Sequence, residues 1–146
     1  MSEQNKTVVR RIVEEHWNKK NPALVSELFA PNVSLHTPDG KLSGLEGASF
    51  LLQAYATAFP DFQCIIDDLL ADGNQVVLQW TFTGTQRGPL AEIPASGRHV
   101  TVQRGIAIFR LDAGRVIEGQ MAWDKYALLQ QLGVLPMNTS AGAQAV

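Results

Sequence analysis

The sequence predicts an α+β fold: a cone-shaped α+β barrel in which N-terminal helices enclose a pocket against a strongly curved, mostly antiparallel sheet. Two observations carry this prediction. Residues 3–60 place apolar side chains mostly at helical spacing, whereas residues 62–123 form long strand-like runs separated by tight turns. Because no repeat or linker composition interrupts this order, we expect one domain over residues 1–134 and a flexible tail over residues 135–146.

The first half of the chain supplies the helices. Apolar residues recur every three or four positions over residues 3–18, which predicts a first helix. A second, short helix is predicted over residues 22–30, with a proline in its first turn. A short strand over residues 32–40 ends in a Pro-Asp-Gly turn. The longest helix is predicted over residues 44–60, where a proline ends it.

The second half predicts an antiparallel meander and a last short helix over residues 124–133. The segments ADGN and LDAGR have the composition of tight hairpin turns. The Gly- and Pro-rich loop over residues 84–97 is either a lid or a long hairpin connection. The four predicted strands run over residues 62–71, 75–86, 99–111 and 115–123.

Charge and composition argue against several classes of function. The net charge is only −2, so we expect neither a nucleic-acid surface nor a surface for anionic membranes. The polar N-terminus has no signal-peptide core, and no apolar run approaches the roughly 20 residues of a membrane span. We therefore expect a cytoplasmic protein.

Cofactor and metal motifs are absent from the sequence. With one cysteine and three histidines, a closed zinc site is not expected. Cys64 lies in an apolar run, which favours a small buried side chain over a nucleophile. The sequence contains no GxGxxG, P-loop, HExxH or GxSxG motif, so an enzyme with this sequence is expected to work without a bound cofactor.

Arg104 interrupts an apolar strand face. Simple alternation places it on the face of Val100, Val102, Ile106 and Ile108, where a cation needs an acidic partner or water. One interpretation is a pocket arginine that binds an oxyanion. The other is a buried ion pair with an aspartate or glutamate, and the pattern leaves both open.

Asp124 lies at the junction between the last strand and the last helix. Aspartate is a favoured N-cap residue, and a cap contributes about 1 kcal/mol. The alternative is an acid/base carboxylate, and one side chain can do both at a pocket mouth. Alternation along this strand places Asp124 on the polar face, together with Glu118, Gln120 and Ala122.

Histidine and aromatic side chains are the other candidates. His36 precedes a turn, so it is either a surface histidine or a second proton-transfer group at the pocket. The large aromatic residues are expected in the core, with one or two lining a flat pocket for an aromatic ligand. They are Trp17, Tyr55, Phe59, Trp80 and Trp123.

Several short motifs occur together in a characteristic order. A Phe-Pro-Asp-Phe segment precedes a Trp-x-x-x-Gly-Thr strand end and a Pro-x-x-Gly turn. A Phe-Arg strand end, an Asp-x-Gly hairpin, Trp-Asp and a closing Gln-Leu-Gly follow. Over residues 6–134 the sequence resembles the SnoaL-like polyketide cyclases of the nuclear transport factor 2-like superfamily.

The resemblance implies a cone-shaped fold, usually a homodimer packed through its sheet. It implies aldol ring closure of an anthracycline-type polyketide without a cofactor, and Asp124 matches the family's acid/base aspartate. The substrate would be small and hydrophobic or aromatic. The superfamily also contains isomerases, dehydratases, epoxide hydrolases and non-catalytic members, which stay as alternatives.

Two positions depart from the family pattern. Gln86 stands where many relatives have histidine, so it can hydrogen-bond a substrate but cannot shuttle a proton. The run Gln120-Met121-Ala122 replaces a His-Trp or similar polar pair. We therefore expect Arg104, His36 or Gln120 to hold the enolate oxygen opposite Asp124.

Overall fold

One six-stranded sheet, in the order β2-β1-β6-β5-β4-β3, forms the frame of the protein. The structure is a computed structural model, and it describes residues 2–136. Neighbouring strands are antiparallel except β1 and β6, which run parallel. The strands are β1 (Phe29–Thr37), β2 (Gly40–Ser43), β3 (Gln63–Asp72), β4 (Gln75–Thr85), β5 (His99–Asp112) and β6 (Arg115–Ala122).

Helices close the concave face of this sheet, and the predicted α+β cone is confirmed. The short strand β2 was not predicted, because its four residues are mostly exposed and show no apolar alternation. None of the helices among the described residues has the length and apolar character to span a bilayer. The helices are α1 (Ser2–Arg11), α2 (Val25–Leu28), α3 (Gly44–Ala58) and α4 (Lys125–Gln131). From residue 137 onward, the predicted tail lies outside the described residues.

A π-helical turn, Ile12–Trp17, continues α1. The Asn18 amide donates to the Val13 carbonyl at 2.9 Å, five residues back, as this wider turn requires. The turn buries Ile12, Val13, His16 and Trp17 together on one side of the chain. Trp17 is thereby carried toward the sheet, where its ring centroid lies 6.1 Å from that of Trp80.

A β-bulge in β5 reverses the face of that strand. Trp80 pairs with Gly105 and Phe82 with Val102, so three steps along β5 match two along β4. Arg104 lies in the bulge with φ +64°. A Cβ at Gly105 would stand 2.3 Å from the Trp80 indole, so only glycine fits there.

The bulge overturns one prediction from simple alternation. Val100 and Val102 face the core as expected, but Ile106 and Ile108 are exposed on the opposite face. The extra residue shifts the alternation by one position. Beyond the bulge, the core side chains of β5 are Ala107, Phe109 and Leu111.

Candidate functional site

An aromatic cavity lies between the helices and the concave face of the sheet, with about 70 Å³ of free space. Half of its twelve lining side chains are aromatic, and the rest are leucines, a valine, Met121 and Cys64. Such a lining suits a flat apolar ligand. The aromatic members are Trp17, Tyr55, Phe62, Trp80, Phe82 and Trp123, which define what we call the aromatic cavity.

The indoles and the Tyr55 ring are arranged at steep angles to one another. The Trp80 and Trp123 centroids lie 6.4 Å apart, and the Tyr55 ring meets Trp123 at 5.9 Å and 87°. Pockets for small molecules usually measure roughly 300–1,000 Å³. A ring system therefore enters only if flexible lining side chains such as Met121 and Leu52 move aside.

Tyr55 carries the only oxygen among the side chains that line the aromatic cavity. Its hydroxyl donates to Asp39 Oδ2 at 3.1 Å, and Asp39 Oδ1 pairs with the Lys125 ammonium. Burial raises the pKa of Tyr55 well above its ordinary value, and the Asp39 charge adds to this rise. The phenol is therefore a neutral hydrogen-bonding group at neutral pH.

Sequence patterns do not identify Asp39 and Lys125 as part of the site. The position of Asp39 in the Pro-Asp-Gly segment indicates only a turn. The contact depends on the β1–β2 turn folding against both α3 and the start of α4, more than 80 residues along the chain. Local sequence patterns carry no information on such a contact.

Trp123 contributes a buried indole nitrogen to the aromatic cavity. Its indole Nε1 is buried and forms no hydrogen bond of normal geometry among the described residues, although its N–H approaches the Tyr55 hydroxyl and offsets part of the rise in that group's pKa. An indole nitrogen can only donate. A buried donor without an acceptor is costly, so a ligand acceptor would stabilise it.

Asp124 is the N-cap of α4, which confirms one of the two roles considered for it. Its Oδ1 accepts from the Ala127 amide at 2.9 Å. The side chain is exposed and does not line the aromatic cavity. The preceding residue, Trp123, does line the cavity, so Asp124 directly follows a lining residue in the chain.

His36 and Gln120 lie on the outer face of the sheet, on the side opposite the aromatic cavity. They pair across β1 and β6, and both are exposed, whereas the preceding Leu35 and the following Met121 are buried. The expectation that they hold an enolate oxygen in the aromatic cavity is wrong. Strand alternation places them on the other face.

These two residues border an open depression of about 670 Å³ on the outer face. His36 Nε2 lies 3.7 Å from Glu118 Oε2, and Arg110 donates to Glu118 Oε1 at 2.8 Å. The exposed side chains of Ile106 and Ile108 also line it. The depression is therefore a shallow surface feature with a charged edge.

Arg104 is exposed on the bulge and forms no ion pair within residues 2–136. Both interpretations of it, as a pocket arginine and as a buried ion pair, are therefore wrong. Each assumed unbroken alternation along β5, and the bulge removes that assumption.

Gln86 is fully buried, and its side chain is used within the protein. Its Oε1 accepts from the Ser96 amide at 3.0 Å, and its Nε2 donates to the Ile93 carbonyl at 3.3 Å. The expected contact with a substrate is wrong. Gln86 instead fixes the loop between β4 and β5 as a hairpin connection.

Phe59 and Cys64 complete the predicted residues. Phe59 is fully buried and stacked on Tyr55 at 6.3 Å, as expected for a core residue, and it does not line the cavity, so a contact with substrate is not supported. Cys64 is buried as expected, and burial raises the pKa of its thiol to about 12. A thiol with this pKa is not a nucleophile at neutral pH. The predicted lining by Trp17, Tyr55 and Trp80 agrees with the structure.

Comparisons with known proteins point to one family. A family model described as SnoaL-like polyketide cyclase matches residues 7–132. Among curated proteins, none matches the chain. One similar solved structure is a candidate SnoaL-like polyketide cyclase from Jannaschia sp. CCS1. Its sequence is 26% identical to this chain, its TM-score is 0.84, and the match covers 92% of this chain and 95% of that chain.

Two further solved structures come from Streptomyces. TsrD from Streptomyces laurentii is 28% identical with a TM-score of 0.81, covering 91% of this chain and 97% of that chain. AclR from Streptomyces galilaeus, described as a candidate hydroxylase, is 23% identical with a TM-score of 0.86. It covers 99% of this chain and 90% of its own, and at this identity it shows the shared fold alone.

Proposed function

Because the chain belongs to the SnoaL-like polyketide cyclase family, we propose that it closes a ring of an aromatic polyketide ester by a cofactor-free intramolecular aldol reaction. The observation that carries this proposal is the aromatic cavity. Six aromatic side chains in its lining favour a flat, largely apolar substrate. The fold alone would not specify a reaction.

Asp124 is the proposed acid/base. Its carboxylate would take a proton from the carbon beside the ester carbonyl, and the enolate carbon would form a bond to a second carbonyl carbon. The new alkoxide would then take the proton back from Asp124. An activated methine between carbonyls is acidic enough for a carboxylate to act as base.

A rotation of the Asp124 side chain is needed for this step. The carboxylate would leave the Ala127 amide and turn toward the cavity beside Trp123. Losing an N-cap hydrogen bond costs about 1 kcal/mol. This cost is small compared with the free energy gained when a polycyclic ligand buries its apolar surface.

The direct test is turnover by Asp124→Asn. Asparagine is also a good N-cap, so the variant should keep α4 intact while losing the base. Polycyclic esters that can close a ring by an aldol reaction are the substrates to use. The same variant tests proton-transfer alternatives such as isomerisation, dehydration or epoxide opening, since each would use this carboxylate.

A non-catalytic ligand-binding protein is the second candidate. The exposed position of Asp124 favours it, because no carboxylate lines the aromatic cavity among the described residues. Ligand-induced thermal stabilisation of the wild-type protein without turnover would support this candidate over the enzyme.

We also propose a homodimer that packs through the outer face of the sheet. Large apolar side chains are exposed there, with Ile106 at 44% and Ile108 at 41%. Leu70 pairs with Val77, and Val77 pairs with Ile108, so apolar residues continue across three strands of this face. A second copy would remove them from water.

A further inference from the structure

We infer that the aromatic cavity selects flat aromatic ligands that carry a hydroxyl group, with Tyr55 accepting from that hydroxyl and Trp123 donating to it. This inference rests on the part of the proposed function that places the ligand in the aromatic cavity. It goes further by naming the chemical group that the cavity recognises, and it requires no catalytic step.

The first support is the fixed direction of the Tyr55 hydroxyl. Its proton is given to Asp39 Oδ2 at 3.1 Å, and a carboxylate oxygen can only accept. The ammonium of Lys125 holds the other Asp39 oxygen, so the carboxylate is fixed from α4 as well. Tyr55 Oη therefore has lone pairs, and no proton, to present to a ligand.

The protonation state of Tyr55 supports the same conclusion. Burial and the nearby Asp39 charge both raise its pKa. The hydroxyl is consequently protonated over the whole neutral range and keeps donating to Asp39. A ligand must bring its own donor to form a hydrogen bond with Oη.

The second support comes from Trp123, whose N–H approaches the Tyr55 hydroxyl. Its buried Nε1 forms no hydrogen bond of normal geometry among the described residues, so the cavity also presents a donor beside Tyr55. The rings of Trp123 and Tyr55 are neighbours, with centroids 5.9 Å apart. A hydroxyl oxygen accepts and donates at once, so one ligand hydroxyl can satisfy both groups. A ketone, an ether or a methyl group cannot.

The expected discrimination follows from ordinary hydrogen-bond energetics. A net hydrogen bond changes affinity by about tenfold in a partly buried site. Sites built to bond a hydroxyl reject analogues that lack it, because their own polar groups are left unpaired. The rest of the lining is the same in the wild type and the variants, and it is expected to contribute equally to ligands of the same size.

The test compares 2-naphthol with 2-methylnaphthalene, which replaces the hydroxyl by a methyl group of similar size. Dissociation constants are measured at about pH 7 by tryptophan fluorescence for the wild type and for Tyr55→Phe, which keeps the aromatic ring. We expect the affinity ratio of naphthol to methylnaphthalene to fall about tenfold in Tyr55→Phe. Tyr126→Phe is the matched control, because Tyr126 is 58% exposed, and it should leave the ratio unchanged.

A second variant, Asp39→Asn, tests the direction of the hydrogen bond. An asparagine at residue 39 can donate to Oη and so release the tyrosine proton toward the cavity. We expect 2-methoxynaphthalene, which can only accept, to gain affinity relative to 2-naphthol in this variant. An unchanged ratio of methoxynaphthalene to naphthol in Asp39→Asn would overturn the assigned direction of the Tyr55 hydrogen bond, and an unchanged ratio of naphthol to methylnaphthalene in Tyr55→Phe would overturn the inference.

Different results would overturn the hydroxyl inference and the placement of the ligand in the aromatic cavity. If the wild type binds both naphthalenes but the ratio does not depend on Tyr55, the hydroxyl inference alone is overturned. If the wild type binds neither, the placement of the ligand in the aromatic cavity is overturned with it.

Discussion

The Trp80 indole lies directly against the backbone of Gly105, and the space that a side chain would occupy at residue 105 is filled by the ring. The bulge at Arg104 and the glycine that follows it therefore position a wall of the aromatic cavity. This relationship links a backbone irregularity in β5 to the shape of the site.

Gly105→Ala should destabilise the protein by roughly 1–3 kcal/mol, because a methyl group at this point overlaps the Trp80 ring. Urea unfolding followed by tryptophan fluorescence measures the change. Gln103→Ala, an exposed neighbour in the same bulge, should change the free energy of unfolding by less than about 0.5 kcal/mol. Equal effects of the two substitutions would contradict the packing described here.

His16 should make stability depend on pH. The ring is fully buried, its Nδ1 donates to the Asn21 carbonyl at 2.9 Å, and burial lowers its pKa below the ordinary value of 6.5. As pH falls below about 6.5, the unfolded chain takes up a proton before the folded protein does. The contribution of His16 to the free energy of unfolding is therefore present above about pH 6.5 and is lost progressively at lower pH.

As pH falls, the free energy of unfolding should decrease by no more than about 1.4 kcal/mol per pH unit, the limit for the uptake of one proton. Urea unfolding between pH 5 and 8 of the wild type and of His16→Asn gives the two slopes. We expect the difference between the two proteins to shrink as pH falls. A constant difference across this range would show that His16 titrates alike in the folded and unfolded states.

The outer face of the sheet should mediate self-association. An aspartate at either Ile106 or Ile108 would place an unpaired charge in the proposed interface, and such a charge costs roughly 2–5 kcal/mol. Sedimentation velocity should show a dimer for the wild type and a monomer for Ile108→Asp. Phe50→Ser, which removes an exposed apolar side chain from α3, is the control and should stay dimeric. A monomeric wild type at high concentration would refute the proposed interface.

Sequence patterns predict the family and every helix and strand named above except β2, because these patterns depend on residues close together in the chain. Periodic apolar residues, Gly-containing turns and Pro60 depend only on neighbours in the chain, so the helices and the four long strands agree with prediction to within a few residues. The Asp124 cap is local in the same way, since its acceptor and donor are three residues apart.

The candidate site could not be predicted to the same extent, because its features are not local. One extra residue at Arg104 reverses the faces of Ile106 and Ile108 and excludes both interpretations of Arg104, the pocket arginine and the buried ion pair. The contact of Tyr55 with Asp39 depends on how a turn packs against a helix. Family patterns placed Gln86 in the site, whereas its hydrogen bonds hold its own loop.

Asp124 is the proposed acid/base of an aldol cyclase, and turnover by Asp124→Asn is the decisive measurement. Steady-state rates of ring closure on a panel of polycyclic aromatic keto esters are compared for the wild type and the variant, after urea unfolding has shown equal stability. We expect the wild type to turn over at least one ester and the variant to lose two or more orders of magnitude in rate. Near-full activity of Asp124→Asn would contradict this expectation.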